Sequence, residues 1–149
     1  MFVFDALVDW TQREEKAVNF FSGTAKYSTE FEVSDVSDDK YVLDLGKVCD
    51  MASVKLNGID LGAVIFSPMR VDVRGAIKKG VNKLEIEVVN RWPNRLIGDG
   101  KLPENQRRTK TNISDYYNKP EEGKHNLLQS GLLGPIQLTI EHSQDETQL

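Results

Sequence analysis

Cysteine is nearly missing from this 149-residue chain. Cys49 stands alone, so no intramolecular disulfide can form and no multi-cysteine metal centre can be built from the chain itself; it reads as a small core residue. Histidine is scarce too: His125 and His142 sit without a neighbouring ligand cluster, which argues against a zinc site. Basic charge is not in excess, with 19 lysines and arginines against 23 aspartates and glutamates and a net charge of −4, so affinity for a phosphate backbone has no whole-chain support and nucleic acid is not an expected partner. No apolar run approaches the roughly 20 residues that cross a bilayer, so no membrane partner is expected either. The opening MFVFDALVDW lacks the basic stretch of a signal peptide. The chain is expected to be soluble as given, and the missing leader carries no information about a parent's compartment.

What is present is ordinary globular composition, 39% hydrophobic and 28% charged. A chain of this length buries about two-thirds of its unfolded surface, so one domain over residues 1–142 is expected, with a frayed polar tail over 143–149.

Period-two alternation dominates. Ala25, Tyr27, Thr29, Phe31 and Val33 alternate with Lys26, Ser28, Glu30 and Glu32, the pattern of a strand with one dry face and one wet face. The same spacing returns at Tyr41–Leu43–Leu45, Ala52–Val54–Leu56, Met69–Val71–Val73, Leu84–Ile86–Val88 and Ile136–Leu138–Ile140. Asn57–Gly58, between two such runs, suits the positive φ angles of a two-residue type I′ hairpin. Residues 74–79 read as one helical turn closed by Gly80. Sustained helical periodicity is absent, so the expected fold is all-β, a two-sheet jelly-roll sandwich with little helix. Residues 91–133 resist that reading. Their content of Trp92, Leu96, Ile97, Tyr116, Tyr117, Leu127 and Leu128 points to a long ordered loop excursion packed on the sandwich.

The stretches SGTAKYSTEFEV, LDLGKVCDMASVKLNGIDLG, SPMRVDVRGAIKKGVNKLEIEVVNRWPNRLIGD and LLQSGLLGPIQL, in this order and spacing, span most of residues 20–141. Together they resemble the galactose-binding-like β-sandwich domain of glycoside hydrolases. It is the sugar-binding domain of family 2 (β-galactosidases and β-glucuronidases), and the version here is most similar to the C-terminal domain of family 106 α-L-rhamnosidase-like proteins. The VKLNG hairpin and the G-x-N-x-L-x-I-x-V strand are shared across the superfamily; NRWPNRLIGD and SGLLGPIQL are narrower signals. The resemblance implies a jelly roll attached to a catalytic domain, commonly a (β/α)₈ barrel of about 250 residues, for which this chain has no room. It also implies a secreted or periplasmic parent.

No catalytic residue is expected within the chain. Glycoside hydrolysis needs two carboxyls about 5 to 9.5 Å apart across the sugar. The adjacent pairs Glu14–Glu15, Asp38–Asp39 and Glu121–Glu122 read as solvated surface, and Ser22–Gly23 and Ser130–Gly131 read as turns that lack the flanks of a nucleophile elbow. No cofactor is expected beyond a possible structural calcium, which jelly-roll sugar-binding domains often hold; Asp35, Asp38 and Asp39 are weak candidate ligands, with an ordinary acidic turn the stronger reading.

Sugar recognition needs an aromatic face for pyranose C–H groups and planar donors and acceptors for hydroxyls. Trp92, Asn94, Arg95 and Asp99 offer that mixture, and Arg70, Arg107, Tyr116 and Tyr117 are expected to join them where loops converge at one end of the sandwich. A competing reading, slightly favoured, makes Trp92 a core anchor, with Asn94, Arg95 and Asp99 holding the loop by hydrogen bonds and a buried salt bridge. The run Gln106–Lys110 reads as a solvated basic loop, or more sharply as a contact for an anionic sugar. The expectation for function is a non-catalytic, carbohydrate-binding accessory domain whose partners are a glycan and the parent's catalytic domain. The alternative is a structural domain that packs on the barrel without touching sugar.

Overall fold

A computed structural model describes residues 5–113 and 126–141. Among them, nine strands form a sandwich: β1 (Thr24–Val33), β2 (Lys40–Asp44), β3 (Lys47–Cys49), β4 (Met51–Leu56), β5 (Ile59–Val64), β6 (Arg70–Asp72), β7 (Gly80–Val89), β8 (Gly131–Gly134) and β9 (Gln137–Glu141). Two short helices join them, α1 (Lys16–Asn19) and α2 (Pro93–Gly100). One sheet runs β1-β7-β4-β5 and faces a second, β6-β2-β9, while β3 and β8 form a two-stranded ribbon. The expected all-β jelly-roll class is therefore observed.

Register explains why the alternation translates into a core. Tyr27 and Val54 both lie opposite Ile86, and Leu56 lies opposite Leu84, so apolar side chains line up across the strands on one face. A one-residue slip of β7 would turn that row to water. Leu56, Leu84, Ile86 and Val88 are buried against Tyr41, Leu43 and Leu45 of the opposite sheet, with Val71, Val73 and Leu132 completing the cluster. Each such side chain contributes about 1.5–3 kcal/mol on leaving water. The outer face of the first sheet carries charge, as in the Lys26–Glu85 pair at 2.6 Å.

The hairpin forms as expected, with Asn57 at φ 53° and Gly58 at φ 84°. Its amide does more than turn the chain. Asn57 Nδ2 donates to the carbonyl of Ala76 and to Asn82 Oδ1, both at 2.8 Å, so Asn57 is tied to the fully buried Asn82. Residues 74–79 form a hydrogen-bonded turn, in which the N–H groups of Ala76 and Ile77 both donate to Val73 at 2.9 Å; no helix develops. The strands β3 and β8 have too few residues to show period two and were not legible as separate strands, whereas β5 was legible as the second arm of the Asn57–Gly58 hairpin. Cys49, expected in the core, is only partly buried at the end of β3, and burial pushes its thiol above the ordinary range.

Among the described residues of 91–133, α2 is followed by a 3₁₀ turn, Glu104–Gln106. Pro93 opens α2 at a position where its missing N–H costs nothing. Gly98 lets α2 approach the N-terminal segment, since a Cβ there would lie 2.6 Å from Arg95 Nη2 and 2.7 Å from Phe20 Cγ. Among the described residues, no helix is long and apolar enough to cross a membrane. The tail over 143–149 lies outside the described residues.

Candidate functional site

Strand β7 ends at a set of buried amides that tie the start of the excursion to residues 21–23 and 128–130. Asn90 donates from Nδ2 to the Phe21 carbonyl at 2.8 Å and to Ser130 Oγ at 3.0 Å, while its Oδ1 accepts from the Gly23 N–H at 2.8 Å. One helical turn on, Asn94 is 1% exposed and behaves as a strand partner: Nδ2 donates to the Leu128 carbonyl at 2.6 Å and to Ser130 Oγ at 3.0 Å, and Oδ1 accepts from the Leu128 N–H at 2.7 Å. Ser130, read from sequence as a simple turn residue, is the buried hub of this knot. Its N–H donates to Asp9 Oδ1 at 3.1 Å, which brings in the N-terminal segment as well.

Asp99 forms a second knot. Its fully buried Oδ2 accepts from the Arg108 N–H at 3.1 Å, the Thr109 N–H at 2.7 Å and the Thr109 hydroxyl at 2.6 Å. Its Oδ1 faces Arg95 Nε at 3.1 Å, an ion pair too bent to count as a hydrogen bond, and neither atom has a hydrogen-bond partner among the described residues. Burial pushes the Asp99 carboxyl upward, but the Thr109 hydroxyl, the two backbone N–H groups and the Arg95 charge together outweigh it and hold the group below the ordinary carboxylate range. Asp99 thus closes residues 99–109 into a loop, and Arg107 adds a hydrogen bond from Nε to the Leu102 carbonyl at 3.1 Å.

These contacts sort the residues expected at a sugar site. Asn94, Arg95 and Asp99 are engaged in holding the excursion, as the competing reading has it. Trp92 is not a core anchor: its side of the knot faces solvent and it is 65% exposed, because Asn90 and Asn94 on either side supply the anchoring that an indole would otherwise provide. Arg70 belongs to the second sheet, where it stands opposite Asp44 and donates from Nε to its Oδ2 at 2.8 Å. That bond and the Gly46 N–H hold the Asp44 carboxyl below its usual range. Tyr116 and Tyr117 lie outside the described residues, as do His125 and His142. Of the calcium candidates, Asp35 pairs with Lys79 at 3.5 Å and Asp39 accepts from Ser37 at 2.6 Å; no group of three potential metal ligands converges among the described residues.

One pair beside Trp92 was missed. Arg91 donates to Asp50 Oδ2 through both its backbone N–H, at 3.2 Å, and its Nε, at 3.0 Å. Asp50 carries no pattern of its own in sequence. Only the β4–β7 ladder, which sets Met51 opposite Val89, brings the residue before β4 to the residues after β7. Elsewhere, an open groove of about 830 Å³ is lined by Leu7, Trp10, Phe21, Tyr27, Leu84 and Ile136 among others. It is mostly apolar, and its Tyr27 hydroxyl already accepts from Trp10 Nε1 at 2.6 Å and the Leu132 N–H at 3.3 Å. Such a lining offers little to sugar hydroxyls. The described carboxyls with displaced titration, Glu15, Asp44, Glu85 and Asp99, all shift downward, opposite to the need of a general acid.

A family model described as a glycosyl hydrolase 2 galactose-binding domain-like domain matches residues 7–122. The chain belongs to that family. This galactose-binding-like domain is 40% identical over 158 residues to a protein of Formosa agariphila named "Putative beta-glucuronidase", a match covering 92% of the chain and 14% of the relative. It is 39% identical to the solved rhamnosidase from Novosphingobium sp. PP1Y, at a TM-score of 0.78, covering 89% of the chain and 12% of that structure. A Ruminococcus gnavus β-glucuronidase structure, 21% identical at a TM-score of 0.52 over 58% of the chain and 15% of its own, shares the fold. The chain therefore spans 14% of the Formosa agariphila relative's length and 12% of the rhamnosidase's.

Proposed function

We propose that this domain is a non-catalytic carbohydrate-binding accessory domain of a glycoside hydrolase, presenting a glycan to a catalytic domain elsewhere in the parent chain. The observation that carries the reading is Trp92, an indole 65% exposed on a stretch of backbone immobilised on both sides by buried asparagines. An exposed but rigidly mounted aromatic face suits the apolar side of a pyranose and pays little ordering entropy on binding. Membership of the galactose-binding-like family and the glycosidase names of the relatives support the same class. A parent working on extracellular or periplasmic polysaccharide fits this reading.

A second reading, a structural domain that packs on the catalytic barrel, draws on a different surface. Ile65 and Phe66, consecutive after β5, are 54% and 83% exposed, the kind of apolar patch that another domain covers.

An NMR amide titration of the 149-residue chain with rhamnose, galactose, glucuronate and pectin-derived oligosaccharides separates the two, since it detects affinities as weak as about 1 mM. Saturable shifts around Trp92 are the expected result. Unchanged spectra with every sugar would overturn the carbohydrate reading and favour the packing role.

A further inference from the structure

We infer that the hydroxyl-recognising part of the Trp92 site is the Asp50–Arg91 pair, and that the ligand is a neutral pyranose with a vicinal diol in preference to a uronic acid. The inference rests on the carbohydrate reading above and adds the polar half that Asn94, Arg95 and Asp99, being engaged elsewhere, do not supply.

The pair is built for the task by what it leaves open. Asp50 Oδ2 takes both bonds from Arg91, and among the described residues no partner is found for Asp50 Oδ1 or for the terminal guanidinium nitrogens of Arg91. Their side chains are 40% and 68% exposed, and Arg91 directly precedes the exposed Trp92 in the chain. The result is one acceptor and a planar set of donors, held in fixed relation by a two-point contact. Adjacent hydroxyls of a pyranose match that arrangement: one donates to Asp50 Oδ1 while its neighbour accepts from an Arg91 nitrogen, and the C–H face of the ring rests on Trp92. Both ends of the clamp are anchored by the sheet. Arg91 follows β7 directly, and Asp50 is held by its N–H donating to the Val89 carbonyl at 3.0 Å.

Charge decides the ligand class. Asp50 neutralises Arg91, so the site offers no net positive charge, and the free Asp50 oxygen repels a carboxylate. A uronic acid meets a charge-compensated arginine, whereas a neutral sugar meets a donor and an acceptor it can satisfy together.

The test is an amide-shift titration of the full chain with methyl α-L-rhamnoside, methyl β-D-galactoside and glucuronate, run on the parent sequence, on Asp50→Asn and on Trp92→Ala. The expected result is saturable shifts of the Asp50 and Arg91 amides and the Trp92 indole N–H with at least one neutral glycoside, weaker shifts with glucuronate, and roughly tenfold weaker neutral binding in Asp50→Asn with glucuronate binding relatively strengthened. Glucuronate binding more tightly than both neutral glycosides on the parent sequence would overturn the inference without any variant having to fold. So would neutral binding that is indifferent to Asp50→Asn. Saturable shifts confined to another part of the molecule would leave the carbohydrate reading standing and remove this site. No shifts with any of the three would overturn both.

Discussion

The sandwich and the α2 excursion are held together by different physics. In the sandwich, Leu56, Leu84, Ile86 and Val88 stack across strands, and burial of apolar area supplies the stabilisation. In the excursion, the buried side chains that matter most are polar, Asn90, Asn94, Asp99 and Ser130, and each is committed to several partners. Apolar packing is tolerant of exchange between side chains of similar size, while a buried amide or carboxylate serves only one geometry. The second kind of construction is what holds a backbone with little regular structure in place on either side of an exposed tryptophan.

The comparison can be broken at each end. Removing a core side chain should have the largest effect: Ile86→Ala is expected to lower the unfolding free energy by about 2–5 kcal/mol, seen as one cooperative shift of the denaturant midpoint. Asp99→Ala should come next in global terms, about 3 kcal/mol at most, because it strands the Arg95 charge and two backbone N–H groups; its signature is early hydrogen exchange over residues 95–109 ahead of the strands. A uniform loss of protection across the sheets would mean that the excursion and sandwich unfold as one unit.

Acid should act on the same contrast. The Asp99 carboxyl is held below its unfolded range, so its contribution is present above that range and is lost as pH falls through the folded value. Protection in residues 99–109 is therefore expected to fall on acidification before protection in β4 and β7, as amide exchange against pH would record. In Asp99→Asn this acid sensitivity of the excursion should disappear.

Smaller effects test the surface. Trp92→Ala is expected to leave the thermal midpoint near that of the parent while abolishing sugar-induced shifts; a large loss of stability would put the indole back among the structural residues. Arg70→Ala, which removes an exposed cross-strand pair with Asp44, should change neither stability nor sugar binding measurably, and lost binding would extend the site to the second sheet.

Legibility in the sequence follows the same divide. Six strands were visible because alternating burial writes itself into alternating hydropathy, and the hairpin was visible because positive φ selects Asn57–Gly58. The α2 helix was not visible. It has only eight residues, opens on a proline, holds two glycines and turns Asn94 and Asp99 inward, so it is too short and too atypical in composition to show a sustained helical period. Ser130 and Asn90 were equally silent, because a buried polar residue is written with the same letters as a solvated one.

By itself the sequence determined the all-β class, the strand phases and the tight turn, since each depends on a local rule linking side-chain type to backbone geometry or to one face of a sheet. It also carried the family, through motifs that survive in order and spacing. Only the tertiary structure decided which polar residues are consumed by the fold and which remain free to meet a ligand. Asp50 and Arg91 are 41 positions apart and meet only because β4 and β7 pair in one register, and no local rule reaches across that separation.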